Sequence, residues 1–264
     1  MLIIGEKINA TLRCVKPIIE NRDRPGMLEF ARQQAKAGAD YIDVNVATGL
    51  GSQQDEVEAM AWAVETIVKE LDAPICIDSA DSAVLEAGLK AKGDRRALVN
   101  SAKAEQGSLE DVVGLAKRFE TPLIGLAMDE KGIPPTTEGR LSACAQIAAA
   151  CEAASLPMEM IYFDPLALPI STDITQGLVT LETIRQIKEQ FPGARTVLGL
   201  SNISFGLPKR GRVNCAFLQM AALAGLDAAI ADPLDHDLML ALKTANVLLG
   251  RDRHCRKYMR AFRT

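Results

Sequence analysis

A chain of 264 residues, 48% hydrophobic and 24% charged with a formal net charge of -4, has the composition of a soluble enzyme-like protein with a large core. Nothing in that balance favours nucleic acid as a partner, and the first apolar run is broken too soon by Glu6, Lys7 and Asn9 for a signal peptide or membrane span. A cytoplasmic protein is expected, and the length suits one α/β barrel with residues 1–264 as a single domain.

In chain order, "LIIG" from residue 2 is the first β-prone run and "YIDVNV" at 41–46 the second. The stretch 54–71 then sets Val57, Met60, Ala61, Val64, Ile67, Val68 and Leu71 at helical spacing, with Glu58, Glu65 and Lys69 opposite. "PICIDS" at 74–79 and "RALVNS" at 96–101 follow as strands. "GSLEDVVGLAKRF" at 107–119 predicts a helix in which Ser108 and Asp111 have capping-box spacing and Leu109, Val112, Val113, Ala116 and Phe119 form one stripe. "PLIGLAM" at 122–128, "EMIYFDP" at 159–165, "RTVLGLS" at 195–201 and "DAAIAD" at 227–232 each precede another helical segment, the last at 235–249.

Strand and helix alternating eight times, with no Pro/Gly/Ser-rich linker, predict a single (β/α)8 TIM barrel. An open doubly wound sheet is the rival. Other chemistries lack parts: Cys14, Cys76, Cys144, Cys151, Cys215 and Cys255 form no CxxC or zinc spacing and read as reduced, structural thiols. Neither His236 nor His254 ends a strand, which leaves serine-triad and histidine–metal mechanisms unsupported. "GLGSQQ" at 49–54 lacks the last glycine of a dinucleotide fingerprint and reads as a turn leading into a helix. The basic "RDRHCRKYMRAFR" at 251–263 reads as a solvated terminal helix.

In either fold, function gathers where strands give way to loops. Those positions hold Glu6, Asn9, Asp43, Asn45, Asp78, Asn100, Asp129, Asp164, Ser201, Asn202 and Asp232. Each alone is an ordinary turn or cap residue, but their recurrence on strand after strand is not explained that way. A buried carboxylate or amide without a partner costs about 1–3 kcal/mol, so a rim carrying so many needs a ligand, water or mutual pairing. Acceptors and amides with few cations suit a ligand rich in N–H donors, such as the aminopyrimidine edge of a pterin or a guanine-like heterocycle, over a phosphate.

The motifs "GEKINAT", "DVNVATG", "IDS", "VNSAKAEQG", "MDEKGIP", "FDPLALP" and "GLSNISFGLPKR", in this order from Gly5, resemble those of pterin-binding methyltransferases. That group comprises the methyltetrahydrofolate:corrinoid methyltransferases and the folate module of cobalamin-dependent methionine synthase. The resemblance implies a (β/α)8 barrel, commonly a homodimer, with the folate pterin in the barrel mouth. It implies that Asp78, Asn100 and Asp164 hold the pterin edge, that Gly199, Ser201 and Asn202 lie beneath it, and that Asn202 approaches the methyl-bearing nitrogen 5. Asp43 and Asn45 become candidates to hold the exchanged proton. Methyltetrahydrofolate or tetrahydrofolate is then the substrate, and the direction of transfer stays open. The cobalamin signature DxHxxG is absent, since "DRHCRK" at 252–257 ends on Lys257, so the corrinoid is expected on a separate partner protein. Lys209, Arg210 and Arg212 attract the glutamate tail of folate or form a solvated loop.

Two other functions compete. Dihydropteroate synthase shares the barrel and pterin pocket, but its Ser-Arg-Pro loop after strand two and its Arg-x-His after strand eight are replaced by "NVATGLGSQQ" and "ADPLD". A folate-binding module without catalysis would show the same pocket and no turnover.

Overall fold

The computed structural model describes residues 1–49 and 51–262. Strands β1 (Leu2–Asn9), β2 (Tyr41–Asn45), β3 (Ile75–Asp78), β4 (Ala97–Ala104), β5 (Leu123–Asp129), β6 (Ile161–Asp164), β7 (Arg195–Gly199) and β8 (Ala228–Ala231) pair in parallel with their neighbours, and β8 closes on β1. Helices α1 (Lys16–Glu20), α2 (Arg24–Ala37), α3 (Gln53–Glu70), α4 (Ser82–Ala91) and α5 (Ser108–Arg118) surround the first half. The second half carries α6 (Thr137–Ala153), α7 (Gln176–Gln190), α8 (Arg210–Ala224), α9 (His236–Leu248) and α10 (Arg256–Phe262). The result is the (β/α)8 barrel that the alternation predicts, not an open sheet.

The strands sit between the barrel interior and the helices, so both faces are buried and alternate residues join different clusters. Ile42, Val44, Ile75, Ile77, Val99, Leu123, Ile161 and Phe163 face outward and pack with the helices. Ile4, Cys76, Leu98, Ile124, Tyr162, Val197 and Ala228 face inward and form an apolar plug across the barrel.

Local differences from the sequence reading have physical causes. On α3, Met60, Val64 and Ile67 are buried as expected, but Ala59, Ala63 and Thr66 join them, because the helix packs on β2 and between α2 and α4. The capping box expected at Ser108 is absent: Gly107, at φ 84°, is the N-cap, so Ser108 already lies inside the first turn. The box forms instead on α3, where Ser52 N donates to Asp55 Oδ2 at 2.7 Å and Asp55 N donates to Ser52 Oγ at 3.3 Å. The turn expected at 49–54 includes Leu50, outside the described residues. The basic tail forms α10 as expected, with Arg263 also outside the described residues.

Candidate active site

Two residues beyond each member of the apolar plug stand Glu6, Asp78, Asn100, Leu126, Asp164, Gly199 and Ile230. The period of two that buries the plug therefore raises a mostly polar layer on top of it. Register fixes the levels: Asn9 pairs with Asn45, Asn45 with Asp78, and Asp78 with Asn100. Asp43 is not at the rim but one level lower, opposite Cys76.

The contacts knit these positions into one site. Asn45 Nδ2 donates to Asp78 Oδ2 at 2.9 Å. Burial pushes the Asp78 carboxyl above its usual range, and that hydrogen bond opposes the shift. Asp43 is only 3% exposed; burial, followed by the charge of Asp78, holds its carboxyl well above the carboxylate range. Its Oδ1 is a buried polar atom with no hydrogen-bond partner among the described residues.

Across the barrel, Asp164 is 5% exposed. Its Oδ1 accepts from Leu166 N at 2.7 Å and its Oδ2 from Gly199 N at 3.4 Å. Burial pushes it up to about 6, against the pull of those N–H groups and of Arg140. Arg140, on α6, is wholly buried and donates to Pro134 O and Leu166 O at 3.0 Å, Thr180 Oγ1 at 3.2 Å and Gln176 Oε1 at 2.6 Å. Leu166, at φ 63°, is thus held in left-handed backbone between the Asp164 carboxyl and the Arg140 guanidinium.

Ser201 and Asn202 require a correction. The run expected to continue as strand to residue 201 ends at Gly199, and Leu200–Ser204 form a 3-10 turn. An extended chain would send Ser201 and Asn202 to opposite faces, whereas the turn lets both line one cleft. Buried Leu200, Ile203 and Ser204 anchor it from below. Arg210 clamps it, donating from Nη2 to Ser201 O at 2.6 Å and from Nε to Ser204 Oγ at 3.0 Å. Asn202 Nδ2 would stand only 3.1 Å from a Cβ on Gly199, so the bare glycine makes room for the amide. All three of the basic trio are exposed, and of them Arg210 is engaged with the turn.

The cleft beside this turn encloses about 540 Å³ and is lined by Glu6, Asn9, Ser201, Asn202, Arg210 and Asp232 among others. Lys7 Nζ pairs with Asp232 Oδ2 at 3.0 Å. Burial and then the negative charge of Asp232 push Glu6 up to about 7, opposed by Lys7, Arg210 and a hydrogen bond with Ser201. Asn9 Oδ1 accepts from Thr11 N at 2.9 Å and Thr11 Oγ1 at 2.7 Å, which makes it a turn former as well as a wall of the cleft. Of the residues expected from sequence, Glu6, Asn9, Ser201 and Asn202 line this cleft, while Asp43 and Asn45 stand on β2, Asp78 on β3, Asn100 on β4, Asp164 on β6 and Gly199 at the end of β7. Sequence reasoning missed Lys7 and Arg140. For Arg140 a signal existed: it lies on the helical stripe of Cys144, Ile147 and Cys151, where an arginine must be paired internally.

Comparison with known proteins agrees with this geometry. A model of the family described as pterin binding enzyme matches residues 8–232. The methylcorrinoid:tetrahydrofolate methyltransferase of Eubacterium limosum is 34% identical over 265 aligned positions, covering 100% of this chain and 96% of that protein. The methionine synthase of Mycobacterium tuberculosis is 30% identical over 87% of this chain, which spans 20% of that longer protein. Among solved structures, the DHPS of Yersinia pestis superposes with a TM-score of 0.70 at 18% identity, over 94% of this chain and 93% of its own. The 7,8-dihydropteroate synthase of Vibrio fischeri does so at 0.69 and 17%, over 95% and 93%. At such identities these structures speak for the fold, while the family match and the full-length relative speak for descent: the chain belongs to the pterin-binding enzymes.

Proposed function

We propose that this enzyme moves a methyl group between nitrogen 5 of methyltetrahydrofolate and the cobalt of a corrinoid carried by a separate protein. The observation that carries the reading is the juxtaposition of Asn45, Asp78 and Asn100 on one level of the mouth with Asp164 across the barrel, bonded to Gly199 at the foot of the turn that carries Asn202. Carboxyl and amide oxygens there accept from the ring N–H and amino donors of the pterin, and the Asp43 Oδ1 acceptor beneath fits the same donor-rich ligand. A tertiary amine leaves poorly, so transfer needs positive charge to develop on nitrogen 5. The Asn202 amide, which cannot titrate, is suited to stabilise that state through a hydrogen bond. The corrinoid supplies the electron pair that receives the methyl group.

The active-site residues serve both directions because the transition state is shared. The full-length similarity to the Eubacterium limosum protein favours transfer to tetrahydrofolate as the physiological one. The test mixes the protein with methyltetrahydrofolate and reduced cobalamin and follows loss of the cobalt(I) absorption band. Tight folate binding with no methylcobalamin above the protein-free rate would leave only a binding module. Formation of dihydropteroate from pterin pyrophosphate and p-aminobenzoate would reject the proposal in favour of a synthase.

Asp78→Ala and Asp164→Ala weaken tetrahydrofolate binding by about tenfold to a hundredfold, the loss of one charge-assisted acceptor each, and slow bound-state transfer far less. Isothermal titration and single-turnover rates measure the two effects separately. The opposite split would remove these residues from the binding role.

The family resemblance also implies a homodimer. Exposed Ile174 just before α7, Leu178 on α7 and Met220 on α8 line an apolar groove of about 460 Å³ together with Leu181 and Phe217. We assign the dimer contact to this face. Sedimentation shows a dimer, and Leu178→Glu with Met220→Glu yields a folded monomer; a monomeric wild type would remove the assignment. No helix among the described residues is long and apolar enough to cross a membrane, and a cytoplasmic location completes the proposal.

A further inference from the structure

We propose that Glu6 holds the proton that nitrogen 5 exchanges in each transfer and acts through Ser201; this deepens the methyl-transfer reading and rests on it. Glu6 stands two residues above Ile4 of the plug and lines the same cleft as Ser201 and Asn202, where the Ser201 hydroxyl is close enough to oppose the upward shift of its carboxyl. Ser201 is the chain neighbour of Asn202 on the 3-10 turn, so the amide assigned to nitrogen 5 and the hydroxyl that shares the cleft with Glu6 are carried by one segment, which Arg210 clamps.

The groups around Glu6 are accounted for. Lys7 on β1 and Asp232 beyond β8 pair with each other, Arg210 at the start of α8 donates to the turn, Asp43 on β2 is buried one level below, and Asp235 caps α9. Among the described residues, Glu6 has no ion-pair partner of its own. Asp164 is the rival store, but both of its oxygens already accept backbone N–H groups. Burial and the Asp232 charge bring Glu6 to about 7, where a group gives and takes a proton with similar ease near neutrality.

The step balances. When folate is demethylated, the bond from nitrogen 5 to methyl breaks, methyl joins the electron pair of the reduced corrinoid, and the bonding pair stays on nitrogen 5 with one proton added. Ser201 passes its hydroxyl proton to nitrogen 5 as it receives one from Glu6, and the Glu6 carboxylate reloads from solvent in the open cleft. When tetrahydrofolate is methylated, nitrogen 5 loses a proton along the same path in reverse.

Saturating transfer from methyltetrahydrofolate to reduced cobalamin is followed against pH. The wild-type rate falls as pH rises through about 7, and the reverse reaction rises through the same point. Glu6→Gln keeps size and a hydrogen bond but cannot titrate: transfer slows about a hundredfold at low pH and that limb disappears. Asp232→Asn removes a charge that lifts Glu6 and moves the limb about one unit to lower pH, a shift that a merely structural role would not produce. A readout without corrinoid is the infrared carboxyl band of the protein alone, in which a group titrating near 7 is lost in Glu6→Gln while tetrahydrofolate affinity stays within about twofold. An unmoved limb in Glu6→Gln, or an unchanged band, overturns this inference alone. A wild-type protein with no transfer at all overturns the methyl-transfer reading and this inference with it.

Discussion

Asn202→Ala slows methyl transfer by about a hundredfold to a thousandfold and changes tetrahydrofolate affinity by only a few-fold. That magnitude is typical for the loss of one preorganised hydrogen bond aimed at developing charge. The amide sits on a turn clamped by Arg210 and seated over Gly199, so it reaches its position without reorganising when substrate binds. Its contact with nitrogen 5 strengthens only as that atom gains positive charge, which places the loss in the rate and not in binding. Single-turnover transfer beside a binding titration measures both. Equal losses in the two would make Asn202 an ordinary binding contact.

Arg140→Ala destabilises the fold by about 3–5 kcal/mol, the largest stability loss expected of any single side chain near the site. The substitution empties a fully buried volume, leaves Gln176 Oε1 and Pro134 O without the guanidinium, and leaves Leu166 O with only the longer bond from Thr180 Oγ1 at 3.4 Å. Denaturant midpoints report the loss, and tetrahydrofolate binding weakens with it because Leu166 no longer holds Asp164 Oδ1 in place. Arg140→Lys recovers only part, since one ammonium cannot span acceptors from Pro134 to Gln176. A change below about 1 kcal/mol would show that these acceptors find other partners.

The barrel was legible because its strands are short, apolar and regularly spaced, and the parity that buries Ile4, Cys76 and Leu98 also dictates where Glu6, Asp78 and Asn100 must point. Strand ends were less legible. "RTVLGLS" has no break between Gly199 and Ser201, and tertiary contacts, the burial of Leu200, Ile203 and Ser204 and the clamp from Arg210, hold its end in a 3-10 turn. Ser108 had the right spacing to Asp111, but Gly107 could adopt positive φ and took the cap. The depth of Asp43 was invisible because register between β2 and β3 is a property of the sheet, not of either segment. The Lys7–Asp232 pair joins residues that only barrel closure makes neighbours.

That last contact bridges 225 positions of chain. Asn45, Asp78, Asn100 and Asp164 stand on β2 to β4 and β6, all available before the polypeptide is complete. The opposite wall needs the first strand zipped to the last, the contact with the greatest loop-closure cost in the molecule. The side of the cleft that holds Glu6, Lys7 and Asp232 therefore takes shape only when the two ends of the chain meet.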